Sequence, residues 1–139
     1  MPAIAAVSDA PLSLDAHVAA VARPSHGAVA TFIGLVRDHD PSVEGEVVGL
    51  DYSAHPDAGA LVARIVAEVE AAHDAVIALT HRTGLLGVGD VAIVAAAASA
   101  HRAEAFAACR EAVERVKAEL PVWKREILAD GSHTWVGVV

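Results

Sequence analysis

One amphipathic helix with a fixed end constrains this chain more than any other feature. Five apolar residues recur at spacings of three, four, three and four: Phe106, Cys109, Val113, Val116 and Leu120. That period places them on one face of an α-helix, which we expect to pack inward. Pro121 has no backbone donor and clashes with a helical path, so the helix must end near Leu120 and the chain continues extended through 122–124.

The charged residues of this helix fall into two groups. Glu104, Glu111 and Arg115 project together on the side opposite the apolar face, where we expect solvent. Lys117 instead falls beside the apolar face, and Arg102 in the first turn also falls on that side. A lysine in such a place commonly lays its stem over the core and keeps its ammonium in water. Position alone therefore favours a structural role for Lys117.

The rest of the chain shows alternating strand and helix signals. Further helices are predicted after Ser13 and Asp57, each of which can cap the helix that follows it. Segments rich in β-branched or small apolar residues predict strands at 3–7, 28–36, 47–52, 75–82, 91–98, 123–128 and 134–138. The run 91–98 is continuously apolar, which is typical of a strand covered on both faces. These patterns predict an α+β fold with a mixed, mostly antiparallel sheet packed by about three helices.

Two polar or glycine-rich segments are interpreted as connections. TGLLGVGD at 83–90 has the composition of a phosphate-binding loop, but such loops hold the phosphate at the N-terminus of a following helix. This segment joins two predicted strands, so we interpret it as a turn. The segment 38–45 is interpreted as a loop, and Asp130 with Gly131 as the turn of a final strand pair.

Composition excludes several classes of partner. Acidic residues outnumber basic ones by 18 to 10, which gives a formal charge of −8 and argues against nucleic acid or anionic membranes. With 139 residues and 55% hydrophobic content, the chain fits a single domain over 1–139. The 8 histidines are dispersed without a close pair at ligand spacing, so no metal site is expected.

The N-terminal segment and the cysteine content predict a location. The first 22 residues contain no basic residue before a hydrophobic stretch and are interrupted by Asp9, Pro11 and Asp15, which is unlike a signal peptide. The longest apolar run is too short to span a bilayer. The single cysteine excludes an internal disulfide, which is compatible with a reducing compartment. We therefore expect a soluble, cytoplasmic protein.

Three blocks of sequence, in one order, carry a family resemblance. They are GAVATFIGLVRDH at 27–39, HRTGLLGVGD at 81–90 and SAHRAEAFAACREAVERVKAELPVWKRE at 99–126. Together they resemble the large, catalytic subunit of molybdopterin synthase over about 27–135. The pattern H-R-x-x-A-F-x-A-C followed by K-x-x-x-P-x-W-K makes the resemblance much more specific than a lone short motif.

The resemblance implies a fold, a reaction and an assembly. The family has an α/β-hammerhead-like fold and converts cyclic pyranopterin monophosphate to molybdopterin by installing two sulfurs as a dithiolene. The sulfur arrives as a thiocarboxylate on the C-terminal glycine of a small ubiquitin-like subunit, and no further cofactor is implied. The large subunits form a homodimer with a small subunit at each end, a heterotetramer whose pockets can include residues from across the dimer. Because both ligands are anionic, a shared pocket needs fixed Arg and Lys donors.

Matching the motifs residue by residue implies roles for five residues. Lys117 and Lys124 match the catalytic positions: Lys117 would stabilise developing negative charge beside the thiocarboxylate, and Lys124 would support it or protonate a leaving oxygen. Arg37, His101 and Arg102 match the pterin- and phosphate-binding positions. Without the motif, the arginines would be interpreted as surface ion pairs and the histidine as a capping or hydrogen-bonded residue.

Other residues in these blocks have alternative interpretations. His81 and Arg82 end a strand, and either brace the pocket or make structural hydrogen bonds. Phe32 and Trp123 are predicted to pack in the core, with one of them forming a wall for the pterin as the alternative. Cys109 lies on the packed face, which favours a buried, inert thiol over a persulfide sulfur carrier.

Two other functions stay open at this level. One is a non-catalytic module that binds an anionic metabolite or a partner's C-terminal tail, and the other is a different small-molecule transferase with the same cationic cleft. A catalyst requires Lys117, Lys124, Arg37 and Arg102 to converge in a cleft that also admits an extended peptide. Family members commonly continue into a basic tail after the position of Trp135, where this chain has VGVV, so we expect no tail cation in the pocket.

Overall fold

The computed structural model describes residues 4–41 and 44–138, which form eight strands and three helices. The strands are β1 (Ile4–Ser8), β2 (Ala28–Leu35), β3 (Val47–Ala54), β4 (Val76–Arg82), β5 (Gly84–Gly87), β6 (Val91–Ser99), β7 (Val122–Leu128) and β8 (His133–Val138). The helices are α1 (Leu14–Val21), α2 (Ala58–His73) and α3 (Arg102–Glu119). This is the predicted α+β class with its three helices. The predicted strand at 3–7 corresponds to β1, although its first residue lies outside the described residues.

The strands divide between two four-stranded sheets, whereas the sequence predicted one sheet. The first has the order β1-β4-β6-β2 and is mixed, because β1 runs parallel to β4 while the other pairs are antiparallel. The second has the order β5-β3-β7-β8 and is antiparallel throughout. The mostly antiparallel character is therefore confirmed. Division into two sheets depends on strand pairing across the chain, which local patterns do not encode.

Strand β6 lies in the interior of the first sheet and is covered on both faces. Its residues from Ala92 to Ser99 are all buried. On one face it packs against α3, with α2 beside α3, through residues such as Ala112 and Val66. On the other face it packs against α1 through Val21. The prediction of a doubly covered strand at 91–98 is confirmed.

The buried face of α3 differs in part from the predicted one. Cys109, Val113 and Val116 are buried, as is Leu120 just after the helix. Phe106 is 66% exposed, so the prediction that it packs inward is wrong. The inward face is completed by Ala105, Ala108 and Ala112. A helix packed closely on an alanine-rich strand leaves room for methyl groups there, and the phenyl ring turns outward.

The helix starts show which predicted caps form. Ser13 Oγ accepts a hydrogen bond from the Ala16 amide at 3.1 Å, as predicted for the start of α1. Asp57 precedes α2, but its side chain makes no capping hydrogen bond. Its backbone has φ −84° and ψ 0°, whereas side-chain capping requires an extended backbone at this position.

The glycine-rich segment contains a strand that the sequence did not predict. Residues 84–87 form β5 and pair with β3, so only the residues after them make the turn. No helix begins in this segment, as predicted. Gly49 of β3 lies against β5 so closely that a Cβ there would meet the Leu86 carbonyl oxygen at 3.0 Å. Glycine is depleted in strands, and Gly49 permits this close approach of the two backbones.

The last two strands form the predicted hairpin. The Ser132 amide donates to Asp130 Oδ1 at 2.8 Å, and Gly131 has φ +87°, a conformation that favours glycine. In the described part of the chain, no helix is long and apolar enough to cross a bilayer.

Candidate functional site

A cavity of about 440 Å³ lies between the two sheets and the last turn of α3. It is lined by the end of β2 and the loop after it, by β3, by α3 and by β7. The lysine, arginine and carboxyl groups in its lining are Arg37, Lys117, Lys124, Asp40 and Glu126. Three of the five residues predicted for the site therefore line one cavity. A larger, more open hollow of about 570 Å³ beside His55 has no Lys or Arg in its lining, so it suits an anion less well.

Arg37 lies at the cavity because the pairing of β2 becomes irregular just before it. The pairing of β2 with β6 shifts register between Gly34 and Leu35, as in a β-bulge. Beyond it, the amide of Val36 donates to the Asp90 carbonyl at 3.0 Å, and the Val36 carbonyl accepts from the Gly89 amide at 2.7 Å. These bonds fix the backbone directly before Arg37.

Lys117 occupies the last turn of α3, beside the buried residues Val113 and Val116. The prediction that it lies at the edge of a packed face is confirmed. Burial lowers the pKa of Lys117, the positive charge of Lys124 lowers it further, Glu114 raises it, and Arg37 lowers it again. The net pKa is below 10.5, so the ammonium is held among other cations. An anion bound in the cavity would stabilise it.

Lys124 lies in the middle of β7, where its side chain meets two carboxylates. Its Nζ donates to Asp40 Oδ2 at 3.0 Å and lies 3.2 Å from Glu126 Oε1. Burial opposes the charged form of Lys124, but these two carboxylates outweigh that effect and raise its pKa. Lys124 is therefore a fixed cation. The chain reaches β7 directly after Pro121, in the extended path that the sequence predicted.

A smaller cavity of about 170 Å³ adjoins the first and shares Tyr52, Lys117 and Lys124 with it. His81 also lines this smaller cavity and is only 7% exposed. Its Nδ1 lies 2.8 Å from the Arg82 carbonyl oxygen, so Nδ1 carries the proton and Nε2 is an acceptor. Burial lowers the pKa of His81, which keeps the ring neutral near Lys117. Both alternatives predicted for His81 are observed, because it lies beside the pocket and also makes a structural hydrogen bond.

His101 and Arg102 lie elsewhere in the same chain. They line a separate hollow of about 570 Å³ with Gly27 and Ala28, at the start of α3. Lys117 is fifteen residues further along that helix, or about 22 Å along its axis. Within one chain the predicted convergence of Arg102 with Lys117 is therefore wrong, because the two cations stand at opposite ends of a rigid helix. His101 precedes α3 without making a side-chain capping hydrogen bond.

The structure contradicts the prediction for two aromatic residues and agrees with the one for Cys109. Phe32 is 38% exposed and Trp123 is 42% exposed, so the prediction that both pack in the core is wrong. Phe32 lines the larger cavity, consistent with its alternative role as a wall. Cys109 is a free, buried thiol, and burial raises its pKa, as expected of an inert cysteine. Among the described residues, no group of three His, Cys, Asp or Glu could hold a metal ion.

Four polar residues that line the larger cavity were not predicted from the sequence. His39 and Asp40 lay in the predicted loop, and Tyr52 and Glu126 lay in predicted strands without an assigned role. Glu126 was within reach, because it follows Lys124 by two positions and so shares its face of the strand. Tyr52 lies opposite Lys124 only through the register of β3 and β7, which a single sequence does not show.

Comparison with known proteins finds relatives along most of this chain. The family model described as MoaE protein matches residues 7–119. Molybdopterin synthase catalytic subunit 1 of Mycobacterium tuberculosis is 40% identical over 136 residues, which cover 94% of this chain and 88% of that protein. The crystal structure of molybdopterin synthase from Staphylococcus aureus superposes with a TM-score of 0.88 at 29% identity, covering 99% of this chain and 98% of that one.

A second structure shows the same fold at lower similarity. It is a complex of subunits 1 and 2 of molybdopterin-converting factor from Helicobacter pylori, with a TM-score of 0.66 and 18% identity. It covers 81% of this chain and 73% of that chain. At this identity the likeness concerns the fold alone.

Proposed function

Because the chain belongs to the MoaE family, we propose that it is the catalytic subunit of a molybdopterin synthase and transfers sulfur to cyclic pyranopterin monophosphate. The observation that carries the proposal is the convergence of Arg37, Lys117 and Lys124 on one cavity of a protein whose formal charge is −8. A local group of cations in an acidic protein suits small anions. We further propose that residues 1–139 act as one domain.

The two ligands explain why the cavity needs these cations. A cyclic phosphate and a thiocarboxylate repel each other, and fixed donors beside an apolar wall offset that repulsion better than water does. Lys117, at the junction of the two cavities, would orient the thiocarboxylate and stabilise the negative charge that develops as sulfur attacks. Lys124 would support it or protonate the leaving oxygen, and Arg37 would hold the phosphate.

The sulfur donor would be the C-terminal glycine of a small ubiquitin-like subunit. The smaller cavity offers an entry for such a tail, because it is narrow, joins the larger cavity at Lys117 and Lys124, and is lined by His81 and Tyr52. Glycine has no side chain and fits a passage of this size.

A second copy of the chain would supply the two predicted residues that lie elsewhere. Strand β2 is at the edge of its sheet and has four exposed apolar side chains: Val29, Phe32, Ile33 and Leu35. An exposed apolar edge favours association with another chain. A homodimer across this edge, within a heterotetramer, is therefore part of the proposal.

Two-fold symmetry across β2 would bring the missing groups to the cavity. In such a dimer, the Ala28 end of one strand would lie beside the Leu35 end of the other. The first end adjoins His101 and Arg102, and the second leads to Arg37. His101 and Arg102 of one copy would then complete the phosphate-binding part of the other copy's pocket.

The decisive experiment is reconstitution. The protein is mixed with a thiocarboxylated small subunit and cyclic pyranopterin monophosphate, and the dithiolene product is measured with the carboxylate form of the small subunit as the control. We expect product only with the thiocarboxylate. Tight binding of both ligands without product would instead support the alternative, a non-catalytic module for an anionic metabolite or a partner's tail. We assign the reaction to the cytoplasm, where thiols stay reduced.

A further inference from the structure

Glu126 is a buried carboxyl group in the wall of the larger cavity. It is 1% exposed, and its Oε1 accepts no hydrogen bond from the described residues, although Lys124 Nζ lies 3.2 Å away. An ionised carboxylate that is buried and incompletely hydrogen-bonded is costly. Its environment therefore has to compensate the charge or neutralise it.

The positive charge that faces Glu126 is that of Lys124, and Lys124 also contacts a second carboxylate. Lys124 donates to Asp40 Oδ2 at 3.0 Å, and the Asp40 side chain is only 11% exposed. The carboxylate–lysine cluster of Asp40, Lys124 and Glu126 therefore contains two acids and one cation. With both acids ionised, the cluster would carry a net charge of −1 beside a cavity proposed to bind anions. Two carboxyls in contact do not both ionise readily, and they commonly share one proton.

The electrostatics of the cluster point in the same direction. Burial raises the pKa of Glu126, the contact with Asp40 raises it further, and Lys124 lowers it, with a net pKa above 4.5. Tyr52 faces the same groups from β3, and burial, the first cause, raises the pKa of its phenol, so it stays uncharged. Lys117 from α3 and Arg37 with His39 from the segment after β2 complete the charged and titratable lining.

We propose that Asp40 and Glu126 hold one proton between them and act as positioning residues for Lys124, fixing its ammonium in the cavity wall within an electrically neutral cluster. This inference rests on the proposed function for the identity of the ligands. Loss of the shared proton at higher pH makes the cluster negative and weakens binding of the anionic substrate. Lys124 stays cationic over this pH range. Loss of the shared proton therefore raises KM more than it lowers the stability of the fold.

The proton is measured directly, on the free protein, by carbon NMR of its labelled glutamate side chains. The spectrum of Glu126→Gln identifies the Glu126 carboxyl signal by its disappearance. We expect this signal to titrate above pH 4.5 in the wild type and at a lower pH in Asp40→Asn, which keeps an oxygen acceptor for Lys124 but removes one carboxylate. Glu114→Gln on α3 is the matched control, because it removes an exposed carboxylate near Lys117 without touching the cluster, and it leaves the Glu126 titration in place.

The consequence for binding is measured as KM for cyclic pyranopterin monophosphate against pH. In the wild type, KM rises by about tenfold once the shared proton is lost, which is the expected effect of one added charge near the ligand. In Asp40→Asn, Glu126 is already ionised over the pH range in which the wild type loses the shared proton, so the pair Lys124–Glu126 stays neutral there and KM stays flat.

Two results overturn the inference. One is a Glu126 signal that titrates at or below pH 4.5, or at the same pH with and without the Asp40 carboxylate. The other is a KM profile that Asp40→Asn leaves unchanged. The NMR titration needs no substrate, so a protein with the shared proton but no dithiolene product contradicts the proposed function while it leaves the proton assignment standing.

Discussion

Tyr52 packs edge-to-face against His81, with ring centroids 5.1 Å apart and ring planes at 78°. The contact joins the two sheets, since Tyr52 belongs to β3 and His81 to β4. It buries the imidazole beside Lys117 and favours its neutral form. Charging His81 therefore works against both its burial and a neighbouring cation.

This contact predicts a loss of stability in weak acid. The pKa of His81 in the folded chain lies below its ordinary value of 6.5, so the unfolded chain binds the proton first as the pH falls. Its contribution is complete above about pH 6.5 and is lost as the pH falls toward the folded pKa, by at most about 1.4 kcal/mol per pH unit. Chemical denaturation between pH 5 and 8 measures this slope.

The matched variants for that experiment are two histidine substitutions. His81→Asn keeps a side-chain N–H for the Arg82 carbonyl but removes the titration, so the stability profile should become flatter. His133→Asn removes an exposed histidine and should leave the slope of the wild type. Equal slopes in the wild type and His81→Asn would contradict the assignment.

Lys117→Ala is expected to abolish sulfur transfer while the fold and small-subunit binding survive. Removal of one preorganised donor for developing negative charge commonly costs a factor of about 100 to 1,000 in rate. Single-turnover formation of dithiolene measures the loss, and calorimetric titration measures binding of the small subunit. Arg110→Ala removes an exposed cation from the same helix and serves as the control. Near-normal turnover by Lys117→Ala would remove this residue from the catalytic assignment.

A mixed dimer tests whether Arg102 acts across the interface. Lys117→Ala and Arg102→Ala are each expected to be inactive alone. In a mixed dimer, the pocket that keeps Lys117 receives the intact Arg102 of the other copy, whereas a pocket built within one chain would stay incomplete. Random exchange should therefore restore about a quarter of wild-type turnover, because half of the dimers are mixed and each has one intact pocket.

The control for the mixed dimer pairs two residues of one pocket. Lys117→Ala mixed with Lys124→Ala leaves every pocket without one of its lysines, so no activity should return. Restoration in this control, or its absence in the first mixture despite confirmed exchange of subunits, would contradict the two-fold arrangement. Light scattering and mass spectrometry of tagged copies establish the exchange.

Cys109→Ala is expected to leave sulfur transfer within about twofold of the wild type, since the thiol is buried and burial disfavours its reactive thiolate. The substitution should cost about 1 kcal/mol of unfolding free energy, as is typical of a small change in a packed core. Product assays and urea unfolding measure the two effects. A folded variant without activity would contradict the assignment of Cys109 as an inert core residue.

In α3, the apolar pattern predicted the helix correctly but not every residue of its buried face. The spacing of apolar residues gave the helix, and Pro121 gave its end, because both act within a few residues of the backbone. The same pattern predicted that Phe106 is buried, but its side chain is exposed. Which side chain fits a helix face depends on the strands packed against it, and one of the strands packed against α3 is β2, which is distant from Phe106 in sequence.

The site shows the same division between local and distant information. The sequence by itself determined the exit of β7 that carries Lys124, the end of β2 that leads to Arg37, and the motif that implies their chemistry. Only the tertiary structure decided that Asp40 reaches Lys124 and that Tyr52 reaches His81, whereas the separation of about 22 Å between Arg102 and Lys117 already follows from the predicted helix. Periodicity and proline act locally, whereas strand register and packing join residues tens of positions apart, and a single sequence does not specify those pairings.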